Sequence, residues 1–273
     1  MVTAGEWGWI DFDRDGVAVQ LERAAERVVD LVAAMPDPSI RCADLDWTCA
    51  ETAAHIAGAL DSNAYFLEGR SDLALDLDRI AESQVELLST IPERDPGPLA
   101  DHVAASAERL VAAVRAADPY AVLPYHGGQT QPAGSSAGMA LGELLLHGQD
   151  LARTAGVRWA IDDAACVHVA RATYGVLPLF VVPEAAAADP CTYELRVAGA
   201  ARTWFAFDAD GLRITPERPG AVHCHVAIRP RAYVLSLYGR RTPLSQLLRG
   251  RALAWGRRPL AALRLRSYAN DEI

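Results

Sequence analysis

Apolar residues recur at helical intervals along the first two thirds of the chain and at alternate positions along the last third. Val19, Leu21, Ala24, Ala25, Val28, Val29, Leu31 and Val32 fall on helix-like spacings within 17–35, and Pro36 ends the run. The stretch 48–67 predicts a second helix, with Thr48 as N-cap and Glu51 three residues on, a capping-box arrangement. Segments 75–91 and 99–117 predict a third and a fourth, split by Pro92, Pro96, Gly97 and Pro98. A polar loop over 126–134 leads into a helix at 135–155 closed by Gly156, and another helix is expected over 162–180. Long helices joined by short links make a helical bundle the natural architecture.

After Pro190 the period drops to two. Strands are predicted over 192–197, 203–208 and 222–228, with turns at Gly199 and Asp210-Gly211. A helix follows over 229–238, a short one over 243–249, and a last strand near 253–255. This is a small α+β unit. The change of period places the domain boundary in 182–190, giving a helical domain over 1–185 and an α+β domain over 186–273.

Composition narrows the function. The 273 residues are 51% hydrophobic and 22% charged, without a low-complexity tract or an apolar run near the ~20 residues that span a bilayer. The first residues lack the basic and apolar regions of a signal peptide, so a cytoplasmic protein is expected. The five cysteines are odd in number and show no C-x-x-C spacing, which reads as free thiols in a reducing compartment. All 26 basic residues are arginine, so a phosphate loop of the Gly-x-x-x-x-Gly-Lys type is impossible. Charge is uneven. Residues 1–189 carry 12 arginines against 29 carboxylates, and residues 190–273 carry 14 against 6. That asymmetry favours domain association or an anionic ligand. The net charge of −9 argues against nucleic acid, and neither a nucleic-acid nor a membrane partner is expected.

The chemistry concentrates in three residues. Glu143 and His147 are four apart in a helix made apolar by Leu144, Leu145 and Leu146, so they share one face. His55 lies in the second predicted helix. A buried carboxylate and imidazole are costly unless paired or metal-bound. Two nitrogens and one oxygen suit a tetrahedral metal with one open position, which is the catalytic arrangement. Spacing alone leaves that reading open beside a satisfied core histidine. Asp150, three residues after His147, either orients an imidazole or forms a helix-surface pair with Arg153.

Asp46-Trp47-Thr48 ahead of Glu51-x-x-x-His55, and Gly142-Glu-Leu-Leu-Leu-His147-Gly-Gln-Asp150-Leu-Ala-Arg-Thr-Ala-Gly156, resemble the mycothiol-dependent maleylpyruvate isomerase family. Leu237-Tyr-Gly239-Arg240 through Gly250-Arg251-Ala-Leu-Ala-Trp-Gly256 extends the resemblance into the last third. It implies a DinB-like four-helix bundle followed by a sterol-carrier-like α+β domain. It also implies a metal, zinc or another divalent ion, on His55, Glu143 and His147, and mycothiol as thiol cosubstrate. The metal lowers the pKa of the bound thiol, and the thiolate attacks an electrophilic carbon. Arg229, Arg231, Arg240 and Arg241 are candidates to clamp a carboxylate at the domain junction. The reading preferred on sequence is transfer of mycothiol onto or between small electrophiles. The alternative is cis–trans isomerisation of a maleylpyruvate-like diacid. A non-catalytic protein whose second domain holds a ligand or partner is the alternative of another class.

Three further motifs compete. Asp11, Asp13, Asp15, Gly16 and Glu22 satisfy the EF-hand calcium pattern, though only ten residues precede Asp11 and the acidic start of a first helix explains them as well. His223-Cys224-His225 would put two histidines on one face of a strand without a third ligand nearby in sequence. Ser135-Ser136 lacks the Gly-x-Ser-x-Gly elbow of a hydrolase.

Overall fold

A computed structural model of the chain describes residues 7–70 and 88–269. Contacts divide it into two compact units, one from Phe12 to Ile161, the other from Asp162 onward together with 7–11. The boundary thus falls about twenty residues before 182–190, the stretch chosen by the change of period. The helix expected over 162–180 is the cause, because it packs on a helix of the second unit.

The first unit is built on four helices: α1 (Arg14–Ala33), α2 (Cys49–Leu67), α3 (Pro96–Ala116) and α4 (Ala133–Thr154). Both α1 and α2 pack against both α3 and α4, so α1 and α2 stand at opposite corners of a bundle. On α1 the buried stripe is Val17, Leu21, Ala24, Val28 and Val32, at spacings of three and four that keep one face inward. Ala50, Ala53, Ala54 and Ala57 on α2 are buried and small, which lets neighbouring helices approach. The helix expected over 75–91 lies outside the described residues except for its end, where 88–90 are helical. The polar loop expected over 126–134 is instead largely a hairpin. Strands β1 (Val122–Pro124) and β2 (Thr130–Pro132) pair around a turn in which Gly127 and Gly128 take left-handed φ of 61° and 70°. Strands of three residues are too short to display an alternation.

In the second unit α5 (Asp163–Val176) and α6 (Pro183–Ala188) precede a sheet of β3 (Cys191–Val197), β4 (Thr203–Asp208), β5 (Gly211–Thr215), β6 (Cys224–Ile228) and β7 (Ala252–Gly256). Their order is β5-β4-β3-β6-β7, antiparallel except for the central β3–β6 pair. Strand β5 was not expected, since Asp210-Gly211 reads only as a turn. Between β6 and β7 run α7 (Pro230–Leu237), against which α5 packs, and α8 (Pro243–Leu248). Among the described residues no helix is long and apolar enough to cross a membrane.

One row across the sheet is polar and aromatic. Register places Trp204, Glu194, His225 and Trp255 side by side on four strands. Glu194 is only 1% exposed, paired with Arg196 at 2.8 Å and with Arg202 and His225. Burial by itself would raise its carboxyl, but hydrogen bonds from these three partners outweigh it and bring the value down to about 2. A carboxyl held below its unfolded value, about 4.3, adds stability above that pH, and the gain disappears as pH falls toward 2. Glu194→Gln should therefore lower the melting temperature at pH 7 more than at pH 3. Equal losses at both pH values would sink the assignment.

Gly148 marks a close approach within the first unit. A Cβ there would come within 2.4 Å of the Trp159 ring, which is held by its Nε1 donating to Leu145 O at 3.0 Å and by the Arg27 guanidinium 3.8 Å from its centre. Gly148→Ala should destabilise the protein by about 1–3 kcal/mol despite the helical gain of alanine, read by urea unfolding.

Candidate metal centre

The site begins with the start of α2. Thr48 accepts from the Glu51 backbone N–H at 3.2 Å, and Glu51 accepts from the Thr48 N–H at 2.8 Å, completing the expected capping box. This fixes where α2 starts and hence the height of His55, two turns on. Trp47, the residue before the cap, lays its ring over the His55 imidazole with centres 4.6 Å apart, and it reaches the His147 ring at 6.1 Å.

Helix α4 supplies the remainder. His55 Nε2 is 3.1 Å from Glu143 Oε2, and His147 Nε2 is 3.3 Å from the same oxygen. The two imidazoles meet edge to face at 4.9 Å. One ligand atom from each of His55, Glu143 and His147 lies within 4.8 Å of the other two. Donors bonded to zinc at about 2.0 Å in a tetrahedron sit about 3.3 Å apart, so the observed separations suit such an ion. His147 Nδ1 faces Asp150 Oδ2 at 3.4 Å, and the Asp150 side chain is 3% exposed. A carboxylate behind the far nitrogen of a ligating histidine is the usual device for fixing its tautomer and orientation. Asp150 thus lies beside the His147 ring, and Arg153 pairs with Asp44 at 3.0 Å.

Electrostatics follow from burial and pairing. Burial pushes the Glu143 carboxyl up, but hydrogen bonds from His147 and His55 outweigh it and hold the group well below the usual range. It is thus a carboxylate, as ligation requires. Tyr125 comes from the β1–β2 hairpin; burial first and the Glu143 charge second push its phenol up. Burial also lowers neighbouring His126 to about 4, so that imidazole is neutral.

The other candidates separate. Arg229, Arg231 and Arg240 belong to the second unit, around α7, whereas the four clustered residues belong to the first. Arg229 caps α7, the Arg231 N–H donates to Asp163 Oδ1 at 3.1 Å, and Arg240 Nη1 donates to Tyr238 O at 3.2 Å. The calcium pattern at 11–22 is not a loop. Asp13 caps α1 by accepting from the Gly16 N–H at 2.9 Å, and helix from Arg14 onward keeps Asp15 and Glu22 from converging with it. Glu22 pairs with Arg115 at 2.9 Å and Asp11 with Arg171 at 2.7 Å. His223 and His225 are likewise engaged: His223 Nδ1 accepts from the Thr192 N–H at 2.9 Å, and His225 pairs with Glu194. The Ser136 hydroxyl donates to Asn63 Oδ1 at 2.8 Å, tying α4 to α2.

Two neighbours of the site had no role assigned from sequence. Trp47 stood within a recognised motif, and its place just ahead of the N-cap was the available signal. Tyr125 carried none, because the hairpin that delivers it has no legible period.

The geometry predicts one equivalent of divalent metal per chain after zinc reconstitution, with quenching of Trp47 fluorescence on loading. His55→Ala and His147→Ala should each lose that equivalent in elemental analysis. Retention of stoichiometric metal by both variants would dismiss the centre.

Residues 19–152 match the family model described as the mycothiol maleylpyruvate isomerase N-terminal domain. Among solved structures the chain is similar to a mycothiol-dependent maleylpyruvate isomerase, at 16% identity and a TM-score of 0.50. A histidine-to-alanine mutant of a mycothiol-dependent maleylpyruvate isomerase aligns at 15% identity and a TM-score of 0.54. Both alignments cover 88% of this chain and 93% of the other. No curated protein matches. The chain therefore shares the fold of those isomerases from its helical first part to its sheet, and its residues 19–152 carry the match to the mycothiol maleylpyruvate isomerase N-terminal domain model.

Proposed function

We propose that the protein is a metal-dependent, mycothiol-using cis–trans isomerase of a maleylpyruvate-like diacid. The His55–Glu143–His147 cluster carries this reading, because it lies inside the matched domain and has the donor set the chemistry requires. The same match favours isomerisation over the thiol transfer preferred on sequence.

His55, Glu143 and His147 would hold the metal, and three protein ligands leave room for a thiol. When bound, the metal makes a thiolate available near neutral pH, and reversible addition of that thiolate to a cis double bond permits rotation. Glu143 contributes the one negative ligand and so offsets part of the metal charge. Asp150 is a positioning residue that holds the His147 ring with Nε2 toward the centre. Trp47 covers both imidazoles and keeps water from that side. Arg229, Arg231 and Arg240 are assigned to the substrate carboxylates or the thiol cosubstrate. The excess of arginine in the last third supports that role, as does the Arg231 Nε, buried with no hydrogen-bond partner among the described residues.

The test is turnover of the cis diacid by zinc-loaded protein at a limiting concentration of mycothiol. An isomerase regenerates the thiol, so many equivalents of trans product should form per mycothiol. One thioether per mycothiol would mean transfer instead, and absence of both products would leave a binding protein. Asp150→Asn should cost about 10–100-fold in activity or metal affinity while leaving the melting temperature of the metal-free protein nearly unchanged. Arginine-to-methionine changes at 229, 231 and 240 should raise KM rather than lower kcat.

A further inference from the structure

The net charge of −9 conceals a stretch of the opposite sign. Eleven arginines and no aspartate or glutamate lie between Arg218 and Tyr268. The same stretch holds the most exposed large apolar side chains among the described residues: Leu244, Leu248, Leu253 and Leu260, each between 51% and 79% exposed. Elsewhere the exposed ones are three valines and one isoleucine, scattered over 19–157 and at most 49% exposed. One exposed leucine needs no account, but four inside seventeen residues do.

The fold brings these leucines to one edge of the second unit. Leu244 and Leu248 are four apart on α8 and share its outer side, while Gln246 is wholly buried. Gly250, with a left-handed φ of 64°, turns the chain from α8 straight into β7, and the Arg251 N–H closes that turn on Gln246 O at 2.9 Å. Strand β7 is the last in the sheet order, so Leu253 stands on an edge. Leu260 lies at the start of the 3-10 segment Pro259–Tyr268, which packs against both α8 and β7. Arg241, Arg249, Arg251 and Arg257 are interleaved with the leucines. All four are exposed and have no carboxylate partner among the described residues.

We propose that this edge docks on the surface of an anionic phospholipid bilayer, with the leucines at the boundary between headgroups and acyl chains and the four arginines on lipid phosphates. Aliphatic tips and guanidiniums alternate along the edge. They do not form the apolar centre inside a polar rim that a protein partner meets. A bilayer surface accepts both kinds at nearly one depth, because an arginine stem lies along apolar surface while its head reaches a phosphate. Nucleic acid would answer the arginines and leave the leucines in water. The contact is peripheral, since among the described residues no helix is long and apolar enough to cross a membrane. Neither the metal nor the isomerase reaction enters it.

The test is co-sedimentation of the full chain with vesicles of phosphatidylglycerol and phosphatidylcholine, against vesicles of phosphatidylcholine alone. An arginine at an anionic surface is worth about fivefold in partitioning, so the mixed vesicles should take up the protein at least about tenfold more strongly. Added salt should weaken that uptake. Arg249→Gln and Arg257→Gln should each cost about fivefold, and Leu248→Ser and Leu260→Ser about tenfold each. These side chains are exposed, so the melting temperatures of the variants should match that of the parent. Equal uptake by the two kinds of vesicle, or undiminished uptake of the arginine or the leucine variants, would overturn the proposal. So would soluble polyglutamate that binds the chain as tightly as the mixed vesicles do, because the surface would then be one for an acidic polypeptide.

Discussion

Glu143 is the carboxylate around which the first unit is organised. Left unpaired inside a helical bundle, an ionised carboxylate costs on the order of several kcal/mol. Here one oxygen is shared by two imidazoles, 3.1 Å and 3.3 Å away, one on its own helix and one on α2. That sharing requires α2 and α4 to be neighbours at a fixed height. The capping box that starts α2 and the Ser136–Asn63 hydrogen bond between the two helices both serve that register. The cluster is thus part of the packing, and a divalent cation entering it meets donors already in place. A divalent cation held by these donors would stabilise the fold that assembles them, so metal binding and folding of this unit would pull in the same direction.

The histidine and glutamate pair of the cluster was legible because helical periodicity carries it. A spacing of four puts Glu143 and His147 on one face without knowledge of tertiary structure, and the capping box announced the helix that holds His55. Which helices would be adjacent was not legible, so bringing His55 to the pair rested on resemblance to a family. Tyr125 and the β1–β2 hairpin were hidden for a physical reason: three-residue strands, each ending in proline and joined through a Gly-Gly turn, have no period to read. The domain boundary moved for a similar reason. An amphipathic helix over 163–176 shows that it buries one face, not against what. The EF-hand pattern failed because the same acidic residues cap and begin a helix, and side chains on α1 cannot encircle an ion.

The second unit meets the same difficulty on a different scaffold. Glu194 is buried in a sheet, and its compensation comes across strands, from Arg196, Arg202 and His225, with Trp255 stacked on the last. Two arginines and a histidine surround Glu194, whereas the partners of the Glu143 oxygen are two imidazoles. Both Glu194 oxygens are taken by these partners, and the two guanidiniums among them cannot ligate a metal, whereas imidazoles can turn from hydrogen bonding to ligation.

The cysteines bear on where the sulfur of the proposed reaction would come from. All five are buried, and burial raises each thiol: Cys49 and Cys166 to about 12, Cys224 to about 11, with Cys42 and Cys191 moved the same way. A thiol so raised is almost wholly protonated near neutral pH and hidden from any electrophile, hence inert. None of them belongs to the His55–Glu143–His147 cluster, so no internal sulfur is placed to be activated by a metal there. In the proposed reaction the sulfur would therefore come from a small diffusible thiol rather than from these buried, raised cysteines. The division of labour would follow: His55, Glu143 and His147 would supply ligands, Asp150 orientation and Trp47 exclusion of water, and the cosubstrate would supply the sulfur.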